Sequence, residues 1–201
     1  MPKTVDDLVI SNIALGHLNE DPLDSLEDIT DKKVRTLNRI FPFCRDNVLR
    51  AKNWGFAKVK ELLVELDDQE IPGWSYVYAI PAKCLCVRKV FLDTGDPDPK
   101  PIEHEKVFIP ELNQEVIACN SEEAYIEFTY QVTDVSKFDV SAAMALSFLV
   151  ATHAAIPLTG DQDKMKTLLS IYLSMVSDAA RINDGESNVK QKQTSSFEDS
   201  R

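Results

Sequence analysis

Glycine is scarce in this chain. The six glycines (Gly16, Gly55, Gly73, Gly95, Gly160 and Gly185) are so dispersed that no two lie within ten residues of each other. That excludes a phosphate-cradling loop and the nucleotide enzymes built on one. The four cysteines, Cys44, Cys84, Cys86 and Cys119, form neither a C-x-x-C pair nor a zinc-ligand spacing, and they read as reduced, buried thiols of a protein made in the cytosol. His17, His104 and His153 are isolated from one another; His153, in an apolar segment, reads as a hydrogen-bonded core histidine. The G-x-S-x-G, H-E-x-x-H, S-x-x-K and kinase signatures are missing. Asp67-Asp68 and Glu122-Glu123 are adjacent pairs, which sends their side chains to different faces of a helix or strand. No catalytic, cofactor or metal site is marked, and the chain is not expected to be an enzyme. A basic excess is also lacking: 22 Lys and Arg stand against 33 Asp and Glu, a net charge of −11. Phosphate backbones and anionic membrane surfaces repel such a chain. Met1–Asp7 leads directly into an amphipathic segment, so no signal peptide is expected.

What is present describes a globular protein. Hydrophobic residues make up 44% of the 201 and charged residues 27%. At this length roughly 70% of the unfolded chain's surface can be buried, enough for one ordinary core.

The apolar periodicity changes twice along the chain. Thr4 with Asp7 three residues later is a capping box, and Val5, Leu8, Val9 and Ile13 follow at helical spacing to about Leu18. The stretch from Asn19 to Thr30 carries Glu20, Asp21, Asp24, Glu27 and Asp28 with no basic residue, and reads as a solvated loop tucking Leu23, Leu26 and Ile29 back onto the core. Thr30 is the expected cap of a longer helix with the seam Val34, Leu37, Phe41, Cys44, Val48 and Ala51, kinked or broken at Pro42 and closed by a left-handed Gly55. From Phe56 to Asp134 the pattern is of strands: Val59 and Leu62–Leu66, Trp74–Ile80, Leu85–Phe91, Val107–Ile109, Val116–Ala118 and Tyr125–Val132. Asp93–Pro101 is a long turn whose aspartates do not follow the calcium-loop pattern of acids at fixed odd positions, then a glycine and a distant glutamate. Val140–Leu158 has no charge, yet its alanines, its polar residues and the acidic flanks Asp139 and Asp161 favour a buried helix over a membrane span. Pro157 and Gly160 then turn the chain, and Asp161 caps a last helix with the stripe Met165, Leu168, Leu169, Tyr172, Leu173, Val176, Ala179 and Ala180.

Four stretches in order carry a family likeness. They are Ile13–Leu26 (IALGHLNEDPLDSL), Val48–Phe56 (VLRAKNWGF), Tyr76–Val87 (YVYAIPAKCLCV) and Tyr130–Asp139 (YQVTDVSKFD). The last leads into an alanine-rich helix and then a final one after Leu158-Thr-Gly-Asp161. In this the sequence resembles the head-to-tail adaptor (connector) proteins of short-tailed bacteriophages, the group that includes tail tubular protein A, over about residues 4–183. Two departures stand out: Lys83 where many relatives have an acid, and Pro42 in a helix usually continuous. The resemblance implies a virion protein of the head–tail interface, made in the host cytoplasm. About twelve copies form a homo-oligomeric ring between the portal protein and the tail nozzle or tail tube protein. Double-stranded DNA passes through that ring without sequence-specific binding, and no membrane is involved.

The expected fold is α+β, an antiparallel helical bundle (residues 1–55 and 135–183) with an inserted β-rich subdomain (56–134). An extended or disordered C-terminal arm (184–201) completes it. Trp54 and Phe56 are the expected anchors of the helix-to-sheet corner, and Tyr76, Tyr78 and Pro81 those of the insertion. Lys190, Lys192, Phe197 and Arg201 are the expected portal-docking residues of the arm. The competing readings are a small soluble enzyme with an unmarked active site and an acidic regulator whose 20–31 loop binds a host protein.

Overall fold

The computed structural model describes residues 6–186. Among them are four α-helices, α1 (Asp7–Leu18), α2 (Lys32–Ala51), α3 (Val140–Thr159) and α4 (Gln162–Glu186). Between α2 and α3 run seven strands: β1 (Lys58–Leu62), β2 (Val64–Glu65), β3 (Tyr76–Ala79), β4 (Cys84–Phe91), β5 (His104–Ile109), β6 (Gln114–Cys119) and β7 (Tyr125–Tyr130).

Short polar side chains start each helix. Asp6, Asp31, Asp139 and Asp161 accept from the backbone N–H groups of Val9, Lys33, Ala142 and Lys164 at 2.8, 2.6, 2.7 and 2.8 Å. Each carboxylate satisfies an orphan donor beside the positive helix end. The cap of α2 is therefore Asp31 and not Thr30, while Thr4 lies outside the described residues. Helix α1 ends where Asn19 turns left-handed at φ 60°, its N–H reaching Gly16 O and that of Glu20 reaching Leu15 O, a double closure that satisfies two last-turn carbonyls. Gly160, at φ 72°, closes α3 with one bond from its N–H to Ile156 O. Pro157 sits inside α3 and not in the turn, and α2 runs unbroken through Pro42.

The strands form two antiparallel sheets. One has three strands in the order β1-β7-β4, the other four in the order β2-β3-β6-β5. Ile126 and Phe128 alternate with Glu127 and Thr129 along β7, so each face of the three-stranded sheet has its own character. The apolar face, with Val90, packs on Tyr78, Ile117 and Cys119 of the four-stranded sheet. The opposite, polar face turns toward the end of α2. Strand β4 bulges twice, between Cys84 and Cys86 and between Val87 and Lys89. Cys84 and Cys86 thus flank an extra residue and do not obey the simple alternation of a regular strand.

This architecture corrects the expected fold class. The molecule is not an antiparallel helical bundle carrying a separate β-rich insertion, and residues 187–201 of the expected arm lie outside the described residues. It is a mixed α/β fold of four helices and two antiparallel sheets among the described residues. The physical reason is that the central strand β7 is buried on both faces, one against the second sheet and one against the helix layer through polar ties. Residues 184–186, assigned above to the arm, are the last turn of α4.

The main apolar cluster lies among the helices. It takes Ile10, Leu15 and Leu18 from α1, Leu37, Phe41, Cys44 and Val48 from α2, Leu146 and Val150 from α3, and Leu168 and Tyr172 from α4. Helix α3 touches each of the other three, and its buried Ala142, Ala145, Ala151, Ala154 and Ala155 allow close approach on several sides. By length and composition α3 could cross a membrane, but 56% of its apolar window is buried inside this fold.

Candidate functional site

The best-built locality is the corner where α2 meets the three-stranded sheet. A helix end leaves its last four carbonyls without intrahelical donors. Here no left-handed glycine closes the helix: Lys52 is extended (φ −147°), and Gly55 begins a short 3-10 turn over Gly55–Ala57. Two side chains arriving from outside the helix do the capping. The Trp54 indole N–H donates to Val48 O at 2.7 Å, and Arg88 donates from one terminal nitrogen toward Leu49 O, Arg50 O and Lys52 O at 3.3, 3.0 and 2.7 Å. Arg88 is the extra residue of the second β4 bulge, which re-aims its side chain across the sheet. Its Nε also donates to Thr129 Oγ1 at 2.8 Å. A fixed cation at the negative end of a 20-residue helix is favourable in its own right.

Further ties converge on the same corner. Gln131 Nε2 donates to Asp46 Oδ2 at 2.7 Å, and Asn53 Nδ2 donates to Glu127 Oε1 at 2.9 Å. Buried Glu127 stands in register between Lys60 of β1 and Lys89 of β4, with Nζ–Oε2 separations of 3.5 and 4.0 Å. Lys89 also meets the exposed Asp98 at 2.6 Å, and that ammonium holds the Asp98 carboxyl below its usual range.

Of the residues singled out in the sequence, Trp54 and Phe56 lie together. Trp54 is buried, its ring 6.1 Å from that of Phe56, and Phe56 is 4.8 Å from Phe138. Tyr76 and Tyr78 form a second pair, 6.4 Å apart, within the cluster between the sheets and away from Trp54. The Tyr78 hydroxyl donates to Ser121 O at 2.9 Å, and burial raises its pKa to about 12. Pro81 O accepts from Cys84 N–H at 3.1 Å in the turn that opens β4, where Lys83 is left-handed at φ 60°. Lys190, Lys192, Phe197 and Arg201 lie outside the described residues. Arg88 and Phe138 were not legible in advance, because nothing in the sequence announces a bulge or says which aromatics will meet.

The acidic segment after α1 is held by donors that aim at its backbone. Asn12 forms a two-way clamp with Leu23, its Nδ2 donating to Leu23 O at 2.9 Å and its Oδ1 accepting from Leu23 N–H at 2.8 Å. Lys33 Nζ reaches Asp21 O at 3.0 Å and Asn38 Nδ2 reaches Leu26 O at 2.9 Å. Arg35 donates toward Thr30 O at 3.3 Å. Ile29, expected to tuck inward, is 68% exposed.

The histidines and thiols assemble no reactive pair. His153 is exposed on α3, contrary to the core position expected for it, and lines a cavity of about 250 Å³ with Ile40, Phe43, Cys44 and Asn47. Burial pushes the Cys44 thiol to about 12, so at neutral pH it is a protonated thiol and not a nucleophilic thiolate. A second, more polar cleft of about 440 Å³ lies where both sheets meet the end of α2, lined in part by Arg50, Cys84, Lys106 and Glu115. Burial raises the Cys84 pKa too, and the Lys106 ammonium only partly opposes that. No group of three or more metal-ligating side chains occurs among the described residues.

His17 is the internal pH-sensitive group. It stacks on Phe148 with ring centroids 4.0 Å apart and lies 3.3 Å from Ser147 Oγ, and its burial lowers its pKa below 6.5. The unfolded chain then takes up this proton before the folded one does, so stability rises with pH across the window between the two values. Acidification from pH 7.5 to 5.5 should lower the melting temperature, and His17→Phe should flatten that slope. An unchanged slope in the variant would place the acid sensitivity elsewhere.

Large apolar side chains are also presented to solvent. Phe43 of α2 is 76% exposed, and on α4 Leu169 and Leu173, neighbours at i and i+4, are 38% and 58% exposed. The apolar stripe read along α4 is thus only half covered, with Leu168 and Tyr172 buried on its inner side. In comparisons with protein-family models and with the curated proteins, nothing matches the chain.

Proposed function

We propose that this chain is a structural virion protein, the head-to-tail adaptor of a short-tailed bacteriophage. In this reading about twelve copies, made in the host cytoplasm, form a ring between the portal protein and the tail nozzle. The ring encloses the DNA exit channel for genome retention and ejection, and residues 187–201, with Lys190, Lys192, Phe197 and Arg201, dock on the portal. The work is mechanical, with no bond made or broken.

The observation that carries the reading is the ordered set of four sequence stretches. The fourth contacts the second and the third in the fold, and the first is tied to its own helix α1. Lys83 O of the third stretch accepts from Gln131 N–H of the fourth at 2.8 Å, and Cys84 pairs with Tyr130. Trp54 of the second returns to Val48 of the same stretch at 2.7 Å. Leu23 of the first is clamped from α1, and Phe138 of the fourth packs on Phe56 of the second. The exposed Phe43, Leu169 and Leu173 suit a protein whose partners cover them. An overall charge of −11 suits a ring that lets a duplex slide without gripping it.

Native mass spectrometry of the chain with its cognate portal tests the proposal. Loading of about twelve copies per portal is expected, with each ring contact burying at least about 1,000 Å². Deleting residues 187–201 should preserve the fold and abolish loading. No loading of the intact chain at micromolar concentration removes the reading, and turnover of a small compound abolished by one substitution would replace it with an enzyme.

A further inference from the structure

The solvent face of α2 combines features found nowhere else among the described residues. Arg35, Arg39, Phe43 and Asn47 follow one another at intervals of four, and Arg50 lies three beyond, so all five share one face of the helix. The row is about 22 Å long at 1.5 Å per residue. All five side chains are exposed, and the central one, Phe43 at 76%, is the most exposed aromatic among the described residues. Arg35 is engaged with the backbone at Ile29 and Thr30, whereas the Arg39 and Arg50 side chains form no ion pair or hydrogen bond among the described residues. Beside Phe43 opens the cavity of about 250 Å³ bounded by Ile40, Cys44, Asn47 and His153.

A cationic row with an aromatic at its centre and an apolar recess beside it calls for an acidic partner with one apolar anchor. The chain itself displays that counterpart. The segment from Glu20 to Asp28 holds five acids and no base, and Ile29, 68% exposed, stands next to Asp28 at its tip. Within one molecule only Arg35, at one end of the row, reaches the end of the segment, through Ile29 O and Thr30 O; Asn12, Lys33 and Asn38 hold the rest, and the Ile29 and Phe43 side chains both remain exposed. We infer that the acidic 20–29 segment of one copy docks on the Arg39–Phe43–Arg50 face of α2 of a second copy, with Ile29 entering the recess beside Phe43. Arginine and aromatic residues at the centre of a patch are the usual energetic anchors of protein interfaces. The contact is heterologous, so it generates a ring when its rotation closes. A duplex is the weaker occupant: the net charge of −11 repels it, and Phe43 and the recess would gain nothing from phosphates.

This inference rests on the adaptor reading for the ring but names a surface that can fail on its own. The test places a photo-crosslinking phenylalanine at position 43 of the full-length chain, free at tens of micromolar and on the cognate portal. Chain-to-chain crosslinks mapping to residues 20–29 are expected. Arg39→Glu with Arg50→Glu should cut the yield by about tenfold, as removing rim and centre charges does elsewhere. Mixing that variant with Asp24→Lys/Glu27→Lys chains should restore it. Crosslinks only to other segments, crosslinks to added duplex DNA, no crosslink in either setting, or failure of the swapped pair to recover would each overturn the inference. Full portal loading with crosslinks elsewhere removes this surface alone. Crosslinks at 20–29 without portal loading remove the adaptor reading and leave the surface.

Discussion

Replacing Arg88 by alanine should cost about 3–4 kcal/mol of stability, because it leaves several polar groups without their donor at once. Leu49 O, Arg50 O, Lys52 O and Thr129 Oγ1 all lose a charged partner. Charge-assisted bonds contribute about 1.5–3 kcal/mol each when isolated, but four acceptors sharing one guanidinium do not add fully. Urea unfolding should show the midpoint falling by about 1.5–2 M at a slope of about 2 kcal/mol/M. Arg88→Lys restores the charge but not the planar fork, so it should recover less than half. A midpoint shift under about 0.3 M in the alanine variant would mean that water caps the helix end as well as the guanidinium does.

Trp54→Ala should be as damaging, at about 3–5 kcal/mol, since it empties one of the largest fully buried side-chain sites. Trp54→Phe separates the two contributions. It keeps most of the ring contact with Phe56 but frees Val48 O, and it should cost about 1–2 kcal/mol. Because Trp54 and Arg88 secure the same turn of α2, the double alanine variant should lose less than the sum, with a coupling of at least about 0.5 kcal/mol. Strict additivity in the denaturant midpoints would show that the two caps act independently.

How much of this was legible depended on range. Elements set by local periodicity were: every strand run read between Phe56 and Asp134 contains strand, though the first, Val59 and Leu62–Leu66, divides into β1 and β2 of different sheets, and α3 and α4 begin at the caps Asp139 and Asp161. Pro42 misled because a proline removes one bond of the helix and its ring crowds the preceding turn, yet the apolar seam from Leu37 to Val48 packs into the helix-layer core beside α3 and keeps the helix whole. Gly55 misled because the closure of α2 comes from Arg88, which is 38 residues away from Arg50 in sequence. The fold class was misjudged for the same reason: polar ties such as Asp46 with Gln131 and Asn53 with Glu127 span 85 and 74 residues and leave no periodic trace. His153 was placed inward from the apolar character of its neighbours, but a helix surrounded by three others still has gaps, and His153 lies in one. The α2 face with Arg39, Phe43 and Arg50 did have a signal in its spacing of three and four. Basic residues on a helix nevertheless read first as a solvated surface that complements the helix dipole.

The order of the elements bears on the order of synthesis. The four-stranded sheet is complete once Cys119 has emerged, since all its members lie between Val64 and Cys119. The other sheet is different: β1 and β4 touch only through β7, so neither has its neighbour until Tyr130 is made. Helices α1 and α2 likewise await α3, whose last residue is Thr159. A nascent chain therefore carries the apolar faces of its first two helices uncovered through most of translation. Whatever shields a growing chain must attend to those N-terminal segments before any other part of this protein.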